Sequence, residues 1–171
     1  DIKLSADPAG CRQQFLARLI YLSSSQGLNM QGIADHSWAL LFDQGVIHEL
    51  TDWLDLTSAQ LQTLPGVGEK RAEQLLSAFN SAKQADLLRW LVALGMPPSG
   101  SEPLFSTDEK AHWQTLVQRS TADWQQRRGV GAARAAALQQ FFHHPPIQQQ
   151  VLRLQNRGIE GFADTGAILH H

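Results

Sequence analysis

The chain has 171 residues, 43% of them hydrophobic and 18% charged. It is long enough to bury roughly 70% of its unfolded surface around a core of its own, and this composition excludes a disordered acidic tail. A single cysteine, Cys11, excludes an internal disulfide framework and any zinc site built from two or more cysteines of this chain. No apolar run approaches the ~18 residues of a bilayer span, and Asp1 and Lys3 precede a Pro and a Gly rather than an apolar run, so no signal peptide and a cytoplasmic location are expected. The net charge of −2 hides an uneven distribution: Asp35, Asp43, Glu49, Asp52 and Asp55 stand in residues 35–62 without a Lys or Arg, whereas Arg119, Arg127, Arg128, Arg134, Arg153 and Arg157 face Asp123 alone in residues 119–157. Binding to phosphate needs only a local positive field, so the whole-chain charge does not exclude nucleic acid.

Nearly every segment has the pattern of a short helix closed by Gly, Pro or Ser, and no stretch alternates cleanly enough for a strand. An all-α fold is expected. A first helix is predicted over 8–25, with Asp7 as cap, Pro8 at the first helical position and Phe15, Leu16, Leu19, Ile20 and Leu22 near one face. Shorter helices follow around 34–44 and 48–55, with Gly45 as the stop between them. Capping boxes then predict three helix starts, at Thr57 with Gln60, Ser106 with Glu109 and Ser120 with Asp123. An amphipathic helix carrying Leu87, Leu88, Leu91, Val92 and Leu94 ends at Gly95, before Met96-Pro97-Pro98-Ser99-Gly100. The last helix starts at Pro145 or Pro146 and stops at Gly158, with Ile147, Val151, Leu152 and Leu154 as its apolar residues. The five tryptophans, at 38, 53, 90, 113 and 124, mostly fall at core spacing.

An internal repeat sets the organisation. Residues 57–79 laid on 120–142 pair Ala59 with Ala122, Gly66 with Gly129, Val67 with Val130, Gly68 with Gly131, Arg71 with Arg134, Ala72 with Ala135, Leu75 with Leu138 and Phe79 with Phe142. Each copy is a helix, a Gly-Val-Gly turn and a second helix. A weaker copy runs through Gly32-Ile33-Ala34 with Trp38 and Leu41 following, and a further one lies at Gly95–Gly100.

In Leu64-Pro65-Gly66-Val67-Gly68-Glu69-Lys70-Arg71-Ala72, Pro65 ends one helix while the glycines permit positive φ and remove Cβ atoms from the outside of the turn. Val67 is the expected inward plug. Free amides at the start of the next helix, at the positive end of its dipole, make an anion site, and Lys70 and Arg71 stand one turn inside it. The second copy supplies Arg127, Arg128 and Arg134. The plainer alternative is a helical hairpin whose glycines serve only as caps.

Two helices joined by Gly-Val-Gly resemble the helix-hairpin-helix motif of DNA repair and replication proteins, which holds the sugar-phosphate backbone without reading bases. From Cys11 to Phe162 the order of elements resembles the helix-hairpin-helix domain of bacterial NAD-dependent DNA ligases, carried by Leu50–Thr57, the hairpin at 64–72, Leu91–Gly95, Gly129-Val130-Gly131 and Arg157-Gly158-Ile159. The altered third hairpin and the end soon after Phe162 look more like a shorter branch of that family, found in enteric bacteria, without a BRCT domain. The resemblance implies an all-α tandem helix-hairpin-helix domain (SAM/RuvA-domain-2-like helical hairpins). Residues 1–27 would be the first helix after a zinc-finger region, with Cys11 at the place of the last zinc-binding cysteine. Residues 28–162 would carry four hairpins, two well formed and packed about a pseudo-twofold axis, and residues 163–171 a tail with His170 and His171 as a tag remnant.

The implied activity is sequence-independent binding of duplex or nicked DNA through minor-groove phosphates, by Gly66, Val67, Gly68, Lys70, Arg71, Arg127, Arg128, Gly129, Val130, Gly131 and Arg134. Ala34 in place of a second glycine, and Pro97-Pro98 in the third hairpin, depart from the pattern, so weak phosphate contact or none is expected there. No Lys-x-Asp-Gly occurs in the chain, so no catalytic residue is expected here. NAD and Mg belong by resemblance to the whole enzyme, whose adenylation and OB-fold domains precede this segment, and neither cofactor nor metal is expected in this chain. A monomer with no membrane association is expected. Two other readings stand beside this one: the module of another DNA repair protein, such as a nuclease or a glycosylase with Asp86 as its acid, and a protein-docking helical domain using the acidic 35–62 face.

Overall fold

The computed structural model describes residues 8–163. It is all-helical, with no strand among the described residues. Asp7, the expected first cap, and the 164–171 tail lie outside the described residues. The helices are α1 (Pro8–Ser23), α2 (Asp35–Asp43), α3 (Ser58–Gln62), α4 (Glu69–Ala82), α5 (Leu87–Ala93), α6 (Trp113–Val117), α7 (Thr121–Gln125), α8 (Ala132–His143) and α9 (Pro145–Asn156), with 3-10 turns at Asp52–Asp55 and Glu160–Phe162. The chain divides into two compact units between Gln84 and Ala85. None of the described helices is long and apolar enough to cross a membrane.

In the first unit α1 packs on α2 and α3 on α4. Its core joins Leu19 and Leu22 of α1 to Trp38, Trp53, Leu61, Leu75 and Phe79, all buried. The rings of Trp38, Trp53 and Phe79 form a closed triangle with centroids 5.4–6.5 Å apart. Ser23 Oγ accepts the Trp38 indole N–H, and the Leu50 carbonyl accepts that of Trp53, so these rings bury their polar atoms satisfied. In the second unit α8 is the central helix, packed by α6, α7 and α9. Phe142 of α8 stacks on Trp124 at 5.5 Å and meets Trp113 at 5.2 Å, while Phe162 lies edge-on to Trp90. All five tryptophans are core residues.

The local signals act where the residues place them, with three corrections. The helix expected around 48–55 is only a 3-10 turn at Asp52–Asp55, with the Asp52 carboxylate accepting the His48 and Glu49 N–H groups ahead of it. The capping boxes at Thr57–Gln60 and Ser120–Asp123 form and open α3 and α7. At Ser106 the Glu109 carboxylate accepts the Ser106 N–H, but no helix follows. Thr107, Asp108 and Lys110 give the next turn no apolar face to pack, and the same Glu109 oxygen also accepts from Arg119 at 2.8 Å. Helix α6 is capped by His112, whose Nδ1 accepts the Gln114 N–H. The last correction concerns two apolar residues: Leu152 stands 57% exposed instead of joining Ile147, Val151 and Leu154 in the core, and Leu88 stands 47% exposed instead of joining Leu87, Leu91 and Leu94.

Candidate nucleic-acid interface

Pairing α3 with α4 brings Leu64, Pro65, Gly66, Val67 and Gly68 round a tight turn. The Val67 N–H donates to the Leu64 carbonyl (3.1 Å), and the Ala72 N–H to the Gly68 carbonyl (2.9 Å), which starts α4. Val67 is buried and Ala72 fully so, as a plug and a close helix contact. The turn between α7 and α8 repeats these bonds: Val130 N–H to Arg127 carbonyl at 3.1 Å and Ala135 N–H to Gly131 carbonyl at 2.9 Å, with Val130 and Ala135 buried. Two segments 63 residues apart in sequence therefore build the same turn.

The two glycines of each turn differ, which refines the sequence expectation that both exploit positive φ. Gly66 and Gly129 are left-handed, at φ 76° and 84°, a conformation other residues adopt only with strain. Gly68 and Gly131 are extended N-caps, at φ −96° and −89°. Neither makes a side-chain cap, and a Cβ on either would meet no atom within 4 Å. Ser, Asp or Asn would cap α4 or α8 better than glycine does, so neither backbone strain nor packing inside the chain demands glycine there. What its absence of a side chain leaves is an open approach to the amides that follow, Glu69 and Lys70 in one turn and Ala132 and Ala133 in the other, which find no acceptor among the described residues. These N–H groups lie at the positive ends of helices of 14 and 12 residues.

The cations around the turns fall into two groups. Lys70 and Arg128 are exposed, and their side chains have no partner among the described residues. Exposed Arg134 folds back so that Nη1 donates to the Gly129 carbonyl at 3.2 Å, over the second turn. Arg71 and Arg127 are instead committed to the protein. Arg71 is half-buried, its guanidinium donating to the Ser37 hydroxyl and, at 3.4 Å, to the Gly32 carbonyl. Arg127 donates to the carbonyls of Ser99, Glu102 and Pro103 at 2.6, 2.7 and 3.0 Å. Burial, and then the nearby Arg119 cation, lower its affinity for its proton below the ordinary guanidinium value. The structure thus sets these two apart from the other cations, because carbonyls distant in sequence come within reach of their forks.

The weaker repeats also part company. Gly32 takes φ 93° and Ala34 is the extended N-cap of α2, so the first hairpin keeps the backbone of the repeat, with Asp35 and His36 where the second has Glu69 and Lys70. A cleft lined by His36, Ser37, Leu64, Pro65, Gly66 and Arg71 opens beside the first Gly-Val-Gly turn. After Gly100, by contrast, residues 101–112 run as bends and turns with no helix. Asp86, the acid of the glycosylase reading, is the N-cap of α5 and accepts the Arg89 N–H at 2.9 Å. No group of three or more His, Cys, Asp or Glu among the described residues is arranged to hold a metal ion.

No family model matches the chain. Over 159 residues, 93% of its length, it is 42% identical to DNA ligase B of Pseudomonas putida (strain W619), and those residues span 27% of that protein. The ligase resemblance of the hairpin sequences thereby extends over nearly the whole chain, which corresponds to about a quarter of the length of the curated relative.

Proposed function

We propose that this chain is the DNA-gripping part of a bacterial NAD-dependent DNA ligase of the ligase B kind, a tandem helix-hairpin-helix domain that holds duplex DNA around a nick without reading its sequence. The observation that carries this reading is the pair of N-cap glycines, Gly68 and Gly131, where a side chain would strain nothing inside the molecule and would stand only in the way of something outside it. A phosphate fits that opening: it accepts several N–H bonds at once and is favoured by the helix dipole. Lys70, Arg128 and Arg134 add charge at the same two turns, and the similarity to DNA ligase B supplies the class of nucleic acid. Nick-sealing chemistry, with NAD and Mg, is assigned to adenylation and OB-fold domains outside these residues. Phosphate contacts position without specifying, so affinity should depend on salt and not on sequence.

The test is fluorescence anisotropy with nicked, intact and single-stranded DNA of scrambled sequences, titrated against salt. Lys70→Glu and Arg134→Glu should each weaken binding to every duplex alike and lower the salt slope. A Gly68→Glu, Gly131→Glu double variant should keep its helical circular dichroism and lose binding. Sequence-dependent losses, or a double variant that binds as well as the parent, would overturn the reading.

A further inference from the structure

The sequence groups Arg127 with the phosphate-binding cations. Its contacts give it a different role, and we infer that Arg127 is a positioning residue that locks the 99–103 loop against the Gly129-Val130-Gly131 turn and so holds the turn's amides in aim. The inference rests on the DNA-binding reading above for its functional consequence, and on geometry alone for the lock.

Five hydrogen bonds and one close approach make the lock. The Arg127 guanidinium gathers three carbonyls through Nε, Nη1 and Nη2, those of Ser99, Pro103 and Glu102 at 2.6, 3.0 and 2.7 Å. A carboxylate oxygen of Glu102 accepts the Arg128 N–H at 2.7 Å. The Ser101 N–H donates to the Arg128 carbonyl at 3.3 Å. Gly100, at φ 97°, lies so close that a Cβ on it would stand 2.5 Å from the Arg128 carbonyl oxygen and 3.2 Å from a Val130 methyl. The Arg128 amide and carbonyl are therefore both held by the loop, while the Arg128 side chain is left exposed. In the sequence repeat the position of Arg127 is Leu64, a buried apolar residue. Packing secures the first turn, and hydrogen bonding to an irregular loop secures the second. Three divergent carbonyls match the rigid planar fork of arginine and not the single ammonium of lysine.

Binding of the 171-residue chain to duplex DNA across a salt series decides between the two roles. For a positioning residue, Arg127→Ala weakens binding by roughly tenfold at every salt concentration with the log–log salt slope unchanged, and Arg127→Lys does not restore it. For a phosphate ligand, Arg127→Ala lowers the slope by about 0.9, as expected for Arg134→Ala, and Arg127→Lys largely restores both slope and affinity; that result overturns the inference, as does unaltered affinity in Arg127→Ala. Should Arg127→Ala fail to fold, Gly100→Ala separates loop from turn without removing a charge, and the same outcomes apply, weaker binding at constant slope supporting and unaltered affinity refuting. Hydrogen exchange reports on the lock without DNA: faster exchange confined to the amides of Ser101, Arg128 and Val130 in Arg127→Ala supports it, and unchanged exchange there refutes it. Failure of the parent chain to bind any duplex at low salt would remove the proposed function and leave exchange to judge the lock.

Discussion

Gly66, at φ 76°, and Gly68, at φ −96°, stand two residues apart in one turn under opposite constraints. A side chain at Gly66 forces a left-handed backbone, so Gly66→Ala should cost about 1–2 kcal/mol in urea unfolding. At Gly68 a serine can cap α4, and Gly68→Ser should leave stability unchanged or raise it by a few tenths of a kcal/mol, while weakening duplex binding because its hydroxymethyl group enters the open approach. Equal losses of stability in the two variants would show that packing inside the chain selects both glycines. The cations divide in a similar way. Lys70 and Arg71 are neighbours in sequence, yet one is exposed and the other donates to Ser37 and Gly32. Charge along the chain locates the basic region, and the identity of each arginine's acceptors decides what that charge can do.

At the scale of the element, caps account for where the short helices start. Helices α3 and α7, of five residues each, are too short to persist on propensity alone; their capping boxes and the burial of Leu61 and Trp124 hold them. Thr57→Ala and Ser120→Ala should each cost about 1 kcal/mol, and Ser106→Ala, where no helix begins, distinctly less. The same bonds give the second unit an acid-sensitive component. The Ser120 N–H holds the Asp123 carboxyl below its ordinary value of 3.8; that of Ser106, assisted by Arg119, holds Glu109 below 4.5. Both acids have a lower pKa folded than unfolded, so their stabilisation is complete above about pH 4.5 and is lost as pH falls through the folded values. Thermal melts from about pH 7 to about pH 2.5 should show the decline beginning below about pH 4.5, and Asp123→Asn with Glu109→Gln should flatten it. An acid limb as steep as the parent's would refute this origin. Asp43 is lowered in the same direction by its paired bonds from Arg12 and, exposed like Asp123 and Glu109, adds a small acid sensitivity of the same sign to the first unit.

Over the whole molecule, each unit has an aromatic core of its own, Trp38, Trp53 and Phe79 in the first and Trp113, Trp124 and Phe142 in the second. Phe79 and Phe142 occupy equivalent places in the repeat, and both are buried. Phe79→Ala and Phe142→Ala should each cost about 3–5 kcal/mol, with hydrogen exchange accelerated most within the unit that carries the change. Uniform acceleration across residues 8–163 would mean that the chain unfolds as one cooperative body. The five tryptophans serve these cores, so the proposed grip on nucleic acid falls to backbone amides and cations.

The helical class, the repeat, the glycine turns and the two productive capping boxes were legible in the sequence because each depends on residues within a few positions of one another. Helix periodicity, a cap three residues before its partner and an inward valine between two glycines are local facts, and the backbone obeys them. The similarity to DNA ligase B agrees with the family resemblance drawn from those same motifs. Tertiary structure alone decided which cations remain free, which capping motif leads into a helix and which hairpin keeps both limbs. Arg71 and Arg127 are held by carbonyls 24 to 39 residues away, and Glu109 is drawn to Arg119, ten residues on. A guanidinium or carboxylate takes whatever partner the fold brings within about 3 Å, and that proximity depends on the packing of the helices around it.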